Sequence, residues 1–206
     1  VLAQIKAPLV VLDNNVEMSG YDCVVINNVP AATQATAYLL NRGHRRIGHL
    51  CSSVDIVNFR ERREGFLKAV SMFSDELQSR IITIPVESTS DGAYQDMTHY
   101  LARRSELPQA LFADNDIMAI ACIRALKDAG RILPRDLSII GFDDVPYARV
   151  VSPRLTTMHV PRDLMGRHAV TRLYEKISNP DQATMKIAVN AWLKEGDSVA
   201  APAPGY

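Results

Sequence analysis

The chain has little of what membrane, secreted and nucleic-acid-binding proteins usually carry. It has three cysteines in 206 residues, and its apolar runs stay well short of the ~18 residues that a membrane helix needs. Its 23 basic and 23 acidic residues cancel, so no overall field would hold a polyanion. The N-terminus shows no signal-peptide pattern. These features predict a cytoplasmic protein whose residues alone bind nucleic acid poorly and cross no membrane.

Motifs for cofactors and metals are missing as well. Cys23, Cys51 and Cys122 lie far apart in apolar segments, which favours buried free thiols over a disulfide or a catalytic role. Neither a G-x-G-x-x-G nor a G-K-[ST] phosphate loop occurs. The five histidines show no metal-ligand spacing with cysteines or carboxylates. The sequence therefore predicts no cofactor and no bound metal.

Residues 110–161 show most clearly how strands and helices alternate in this chain. A short apolar strand at 110–113 is followed by a polar triplet at 114–116 that can begin a helix. The next strand, 137–142, ends at Asp143 and Asp144. The carboxyl ends of parallel strands share one edge of a sheet, and ligands bind at that edge in open α/β sheets. We therefore expect a binding site where these polar residues meet.

Strands and helices alternate through most of the remaining sequence, which predicts an α/β fold of doubly wound parallel sheets. Residues 27–158 hold enough elements for one complete C-terminal lobe. Residues 1–26 and 159–199 supply only part of an N-terminal lobe, and 200–206 is expected to be a loose tail. Because parallel sheets are normally covered on both faces, we expect the N-terminal lobe to be incomplete in this sequence.

Six segments together carry a resemblance to a known family. In this order and spacing they resemble the effector-binding region of the LacI family of bacterial transcription regulators, over most of residues 8–197. The segments are PLVVLD from Pro8, GHRRIGHL from Gly43, RREGF from Arg62, FADNDIMAIACIRALKDAG from Phe112, LPRDLSIIGFDD from Leu133 and SPRLTTMHVP from Ser152.

The resemblance implies a periplasmic-binding-protein-like pair of lobes joined by three crossovers. The crossovers would fall near residues 26–27, near 158–159 and after the helix that ends at Ile177. It also implies a small-molecule effector in the cleft between the lobes, a homodimer, no enzymatic activity and an N-terminal helix-turn-helix headpiece for operator DNA. The headpiece and the start of the N-terminal lobe have no counterpart in this sequence.

The resemblance implies effector contacts at Asn58, Arg62, Asn115 and Asp143. A carboxylate such as Asp143 can accept hydrogen bonds from two vicinal hydroxyls, although it could instead serve a turn or hinge. The planar fork of Arg62 can clamp a hydroxyl pair or a carboxylate; a solvated surface arginine is the alternative. Helix capping is the alternative for Asn115. Asp13 ends the first strand and would face the cleft from the N-terminal lobe, or would simply end that strand in a turn.

One aligned position departs from the family pattern. Family members often stack an aromatic side chain on a sugar or a purine where this chain has Glu87. A carboxylate cannot stack on an apolar sugar face. The departure predicts an effector, a sugar or another small metabolite, that is more polar, cationic or richly hydroxylated.

Two other classes of protein fit parts of the pattern. A periplasmic solute-binding protein for transport would have the same lobes and no headpiece. A metal-dependent enzyme could use an acidic cluster at the sheet edge, although no nucleophile, base or phosphate cradle accompanies it. The carboxylates of that cluster would be Asp114, Asp116, Asp143 and Asp144. The main prediction remains the ligand-sensing and dimerisation region of a LacI-type regulator.

Overall fold

The computed structural model of the chain describes residues 7–14, 20–74, 81–103 and 106–202. The strands are β1 (Val10–Leu12), β2 (Asp22–Ile26), β3 (Ile47–Ser52), β4 (Ile82–Val86), β5 (Ala110–Ala113), β6 (Ser138–Asp143), β7 (Thr156–His159), β8 (Lys186–Val189) and β9 (Trp192–Lys194). The helices are α1 (Asn28–Asn41), α2 (Val57–Phe73), α3 (Ser90–Arg103), α4 (Asp116–Asp128) and α5 (Arg162–Ser178), with a 3-10 turn at Pro146–Arg149.

The strands form two sheets. One has three strands in the order β1-β2-β8, and the other has six in the order β4-β3-β5-β6-β7-β9. Neighbouring strands are parallel except for β9, which runs antiparallel to β7. Parallel neighbours need crossover connections, and helices supply most of them here. The predicted α/β class with parallel sheets is confirmed.

The chain divides into two compact units. Unit 1 comprises Val1–Asn27 and Val160–Ala191, and unit 2 comprises Asn28–His159 and Trp192–Tyr206. In unit 1, α5 packs against β1 and β2, and its Arg172 donates to Asp22 of β2 at 2.6 Å. Every residue of β2 is buried. Asp13, directly after β1, has a φ of 56°.

Strand β5 shows how the sheet of unit 2 is covered on both faces. Leu111 and Ala113 belong to a buried apolar cluster that includes Met118 of α4. Phe112 lies between them in sequence, and its ring stacks with that of Phe66 in α2 at a centroid distance of 6.0 Å. Successive side chains of a strand point to opposite faces. Helices α2 and α4 therefore cover opposite faces, as a doubly wound sheet requires.

Residues 186–193 have the apolar pattern of a single strand, but they form parts of two strands that lie in different sheets. Strand β8 pairs with β2, whereas β9 pairs with β7. The run of apolar residues shows no glycine or proline at the break, so its pattern reads as one strand. As a result, residues 192–199 lie in unit 2, whereas the sequence groups them with the N-terminal lobe.

The structure departs from the sequence pattern at two further places. Helix α2 begins at Val57, although the polar residues of 52–60 are typical of a loop. Within the predicted tail, the Ala200 carbonyl lies 2.9 Å from Nε2 of the buried His44, and its N–H donates to Ser138 Oγ at 3.1 Å. These bonds attach residue 200 to unit 2, while 203–206 fall outside the described residues. No helix in the described parts of the chain is long and apolar enough to span a membrane.

Candidate functional site

Arg62 is the centre of a buried polar network at the carboxyl edge of the unit 2 sheet. Its side chain is 3% exposed. Nε donates to Asn28 Oδ1 at 3.0 Å, Nη1 to the Asp114 carbonyl at 2.5 Å and Nη2 to Asp143 Oδ1 at 3.2 Å. The guanidinium carbon lies 3.8 Å from the ring centroid of Phe142, so the ring supports it by a cation–π contact. These contacts hold the fork in one orientation.

The close packing of α1 and α2 places Arg62 within reach of Asn28. Asn28 is the first residue of α1, and its Nδ2 donates to Glu61 Oε2 at 2.9 Å and to Asn58 Oδ1 at 3.4 Å. Two turns of α2 are thereby tied to the start of α1. The structure brings the predicted Asn58 and Arg62 together through Asn28, a residue that the sequence analysis did not select.

Asp143 ends β6 in a backbone conformation that L-residues rarely adopt. Its φ is 111°, and that of Asp144 is 52°. Such values in consecutive non-glycine residues store strain, which clusters at functional sites. The Asp143 side chain is 24% exposed, so a ligand can reach the same carboxylate that Arg62 holds. The structure therefore joins two of the predicted contacts, Arg62 and Asp143.

The three polar residues after β5, at positions 114–116, make different structural contacts. Asn115 caps α4 by accepting a hydrogen bond from the Met118 N–H at 2.9 Å. Asp114 is 1% exposed; its Oδ1 lies 2.6 Å from His49 Nε2, and its Oδ2 accepts from the Ser52 N–H at 2.8 Å. The capping alternative for Asn115 is thus observed. Its contact with an effector stays a prediction.

Asp116 is a buried carboxylate beside this site. It is fully buried, and it accepts from Thr157 Oγ1 at 2.6 Å and from the Val145 N–H at 2.9 Å. Burial, together with the nearby charges of Asp143 and Asp144, outweighs these hydrogen bonds and raises the pKa of Asp116 to about 7. Close to neutral pH, Asp116 therefore gains and loses a proton beside the turn that Asp143 and Asp144 form.

We expect the Asp116→Asn variant to lose part of the pH dependence of stability. The folded chain binds this proton more tightly than the unfolded chain, whose aspartate ionises near 3.8. The free energy of unfolding therefore falls as pH rises from about 4 to about 7. We expect the free energy of unfolding, measured with urea, to fall between pH 5 and pH 8 by about 2 kcal/mol less in the variant than in the wild type.

Asp197→Asn is the matched control for this measurement. Asp197 is paired with Arg154, whose hydrogen bond lowers the pKa of Asp197, so the residue is already ionised at both pH values. In Asp197→Asn the free energy of unfolding should fall between pH 5 and pH 8 by as much as in the wild type. An Asp116→Asn variant with that same fall would show that Asp116 is ionised throughout.

Glu87 lies at the carboxyl end of β4, but its described contacts are with the start of α3. Its N–H donates to Asp96 Oδ2 at 2.9 Å, and its Oε2 accepts from Thr89 Oγ1 at 3.3 Å. A Cβ added to Gly92 would collide with the Glu87 carboxylate. The side chain therefore folds over the first turn of α3. Its predicted contact with an effector, and the effector chemistry argued from it, stay predictions.

A cavity of about 250 Å³ lies beside the Arg62 network. It shares Phe59 and Asp114 with the surroundings of Arg62 and is also lined by Ser52, Ser53 and Arg63. Within the described residues, no group of three or more histidine, cysteine, aspartate or glutamate side chains could hold a metal ion.

Residues 36–199 match the family model described as a periplasmic binding protein-like domain. The chain belongs to this family. This periplasmic binding protein-like chain is similar to the HTH-type transcriptional repressor PurR of Haemophilus influenzae (strain PittEE), with 34% identity over 184 residues, or 87% of this chain and 52% of the relative. It is also similar to the HTH-type transcriptional regulator GalS of Salmonella typhimurium, with 40% identity over 166 residues, or 80% of this chain and 48% of the relative.

A solved structure supports the same family. A LacI family transcriptional regulator from Enterococcus faecium, solved with bound ribose, is similar at a TM-score of 0.86 and 27% identity over 94% of this chain and 71% of that chain. The resemblance to LacI-type regulators and the periplasmic-binding-protein-like fold are thereby confirmed. The chain spans about half the length of the curated relatives that it matches.

Proposed function

We propose that this chain is the effector-sensing region of a LacI-type transcription regulator. The buried Arg62 held against the partly exposed Asp143 at the carboxyl edge of the sheet carries this proposal. A fixed guanidinium and a neighbouring carboxylate offer donors and acceptors side by side. Adjacent hydroxyl groups of a small molecule need that combination.

The effector in this proposal is a small polar metabolite such as a sugar. One regulator of similar structure was solved with ribose bound. Arg62 and Asp143 would make the main contacts, with Asn58 and Asn115 beside them and Glu87 as a further predicted contact. Asp13 is the predicted contact from unit 1. Its left-handed backbone, at φ 56°, is of the kind that concentrates at functional sites.

The proposal extends to the whole regulator. A homodimer would carry the effector signal to an N-terminal helix-turn-helix headpiece on operator DNA, in the cytoplasm and without catalysis. The names of the relatives support this proposal, because both are HTH-type regulators. In unit 2, Tyr147 and Val150 on and beside the 3-10 turn are 68% and 77% exposed. These two neighbouring side chains would lie in the interface of the proposed homodimer.

Thermal melts of the chain should identify the effector. The test panel would contain ribose, cellobiose, gluconate, glucitol and hypoxanthine, without added metal. A compound at ~100 times its dissociation constant should stabilise the folded chain by ~2.7 kcal/mol. The shift should disappear in Asp143→Ala, because the carboxylate that accepts from the ligand is gone.

Asp197→Ala is the matched control for this variant. It removes an exposed carboxylate that pairs with Arg154 at 2.7 Å, far along the chain from the Arg62 network. It should keep the full ligand shift. A shift that survives in Asp143→Ala would contradict the proposed site, and stabilisation that requires an added divalent metal would contradict the effector-sensing function.

A further inference from the structure

Asp144 binds two cationic side chains and a histidine, none of which belongs to the proposed effector site. Its side chain is 1% exposed. The carboxylate accepts from Arg149 Nη2 at 3.0 Å, from Lys194 Nζ at 2.9 Å and from His159 Nδ1 at 2.7 Å. Since a carboxylate only accepts, His159 must carry a proton on Nδ1. One buried carboxylate thus joins the 3-10 turn, β7 and β9.

Two of these partners lie where the chain leaves and re-enters unit 2. His159 is the last residue before Val160–Ala191 of unit 1, and Trp192 is the first residue after it. The two residues are direct partners in the β7–β9 pairing, and their rings lie 4.4 Å apart. Lys194 follows two residues later. Asp144 therefore holds both strands to which residues 160–191 are attached.

Asp143, which directly precedes Asp144 in the chain, carries the carboxylate of the proposed effector site. Asp143 and Asp144 are consecutive and both have positive φ values, at 111° and 52°. Surrounding contacts must maintain such a turn, because the isolated backbone disfavours it. Arg62 holds the first carboxylate, and Arg149, Lys194 and His159 hold the second. The direction of the Asp143 carboxylate thus depends on where Asp144 is fixed.

We propose that Asp144 is a positioning residue that couples the effector site at Asp143 to the two attachment points of residues 160–191. The inference rests on the proposed function of Arg62 and Asp143. A ligand that pulls on Asp143 shifts the adjacent peptide, and the side-chain contacts of Asp144 carry that shift to His159 and Lys194. Trp192 moves with them because its ring contacts that of His159.

The charges around Asp144 keep the coupling intact at physiological pH. Burial raises the pKa of Asp144, but hydrogen bonds from Arg149, Lys194 and His159 outweigh it and lower the pKa to about 2. The carboxylates of Asp143 and Asp116 are the opposing charges nearby. Asp144 is therefore ionised whenever the protein is folded near neutral pH, and its three contacts persist.

Trp192 is the single tryptophan of the chain, so its fluorescence reports on this coupling directly. In the wild type, a compound from the thermal-melt panel that binds should change the Trp192 emission. In Asp144→Asn the same compound should bind about tenfold more weakly by calorimetry and leave the emission unchanged at saturation. Asp197→Asn, which removes an exposed carboxylate from the same unit, should respond like the wild type.

Each alternative result decides between the two proposals. Binding with a wild-type emission change in Asp144→Asn would overturn the coupling and leave the proposed function standing. If no panel compound binds the wild type, the proposed function fails for those compounds. In that case, acrylamide quenching of Trp192 fluorescence without ligand tests whether Asp144 fixes the position of Trp192. Quenching that increases in Asp144→Asn alone supports the Asp144–Trp192 link, and unchanged quenching overturns it.

Lys194→Met provides a second variant in case Asp144→Asn does not fold. It removes a 41% exposed partner and leaves Asp144 with Arg149 and His159. The emission change on binding should fall to a fraction of the wild-type value in this variant. A full response would contradict the role of β9 in the coupling.

Discussion

Replacing Arg62 by methionine is expected to abolish effector binding and to lower the free energy of unfolding by about 3 kcal/mol. The change removes the Arg62 donor from three acceptors: Asn28 Oδ1, the Asp114 carbonyl and the Asp143 carboxylate. Methionine can still pack on Phe142, so most of the loss comes from the three hydrogen bonds that are removed. Urea unfolding gives the stability, and melts with the panel compounds give the binding.

Two further variants separate the geometry of Arg62 from its charge. Arg62→Lys keeps the charge but cannot reach three acceptors in a plane, so it should recover part of the stability and little of the binding. Arg60→Met removes a 58% exposed arginine paired with Asp55 and should change the stability within about 0.5 kcal/mol. Effector binding that persists in Arg62→Met would show that the ligand lies elsewhere.

The proximity of Asp143 to the residues after β5 could be predicted from the sequence, because the carboxyl ends of neighbouring parallel strands lie at the same edge of the sheet. Short apolar runs identify β5 and β6, and the polar residues directly after them must then be neighbours. The motif around Arg62 placed that residue in the site through its family resemblance. The structure confirms the fold class and brings Arg62 to Asp143, while contact with an effector remains to be measured.

The contacts that hold the site together could not be predicted in the same way. Asn28 follows β2 and reads as an ordinary strand-end residue, yet it begins α1 and accepts from Arg62 Nε. Asp144 reads as a turn cap, but its partners lie at 149, 159 and 194. Their meeting depends on β9 turning back along β7. A pattern of alternating or continuous apolar residues carries no information on such a pairing.

Replacing Gly65 by alanine is expected to destabilise the chain by about 3 kcal/mol, at the upper end for an overpacked core. An added Cβ would collide with the Val29 carbonyl of α1 and lie 2.7 Å from Ala32 Cβ and 3.0 Å from the Thr33 nitrogen. Two of these atoms are backbone and cannot rotate away, so α2 must move away from α1. Urea unfolding measures the loss of stability.

Gly166→Ala is the matched control, because it makes the same substitution in a helix where nothing lies within 4 Å of the new Cβ. It should stabilise the chain by about 0.5 to 1 kcal/mol through helix propensity.

Since α2 carries Arg62 and α1 begins with Asn28, Gly65→Ala should also weaken the ligand shift in thermal melts. A destabilised Gly65→Ala variant with an undiminished ligand shift would mean that the contacts of Arg62 with Asp114, Phe142 and Asp143 orient it without help from α1. Equal stabilities of the two alanine variants would mean that α1 separates from α2 at little cost, and the contact between the helices would then not set the geometry of the site.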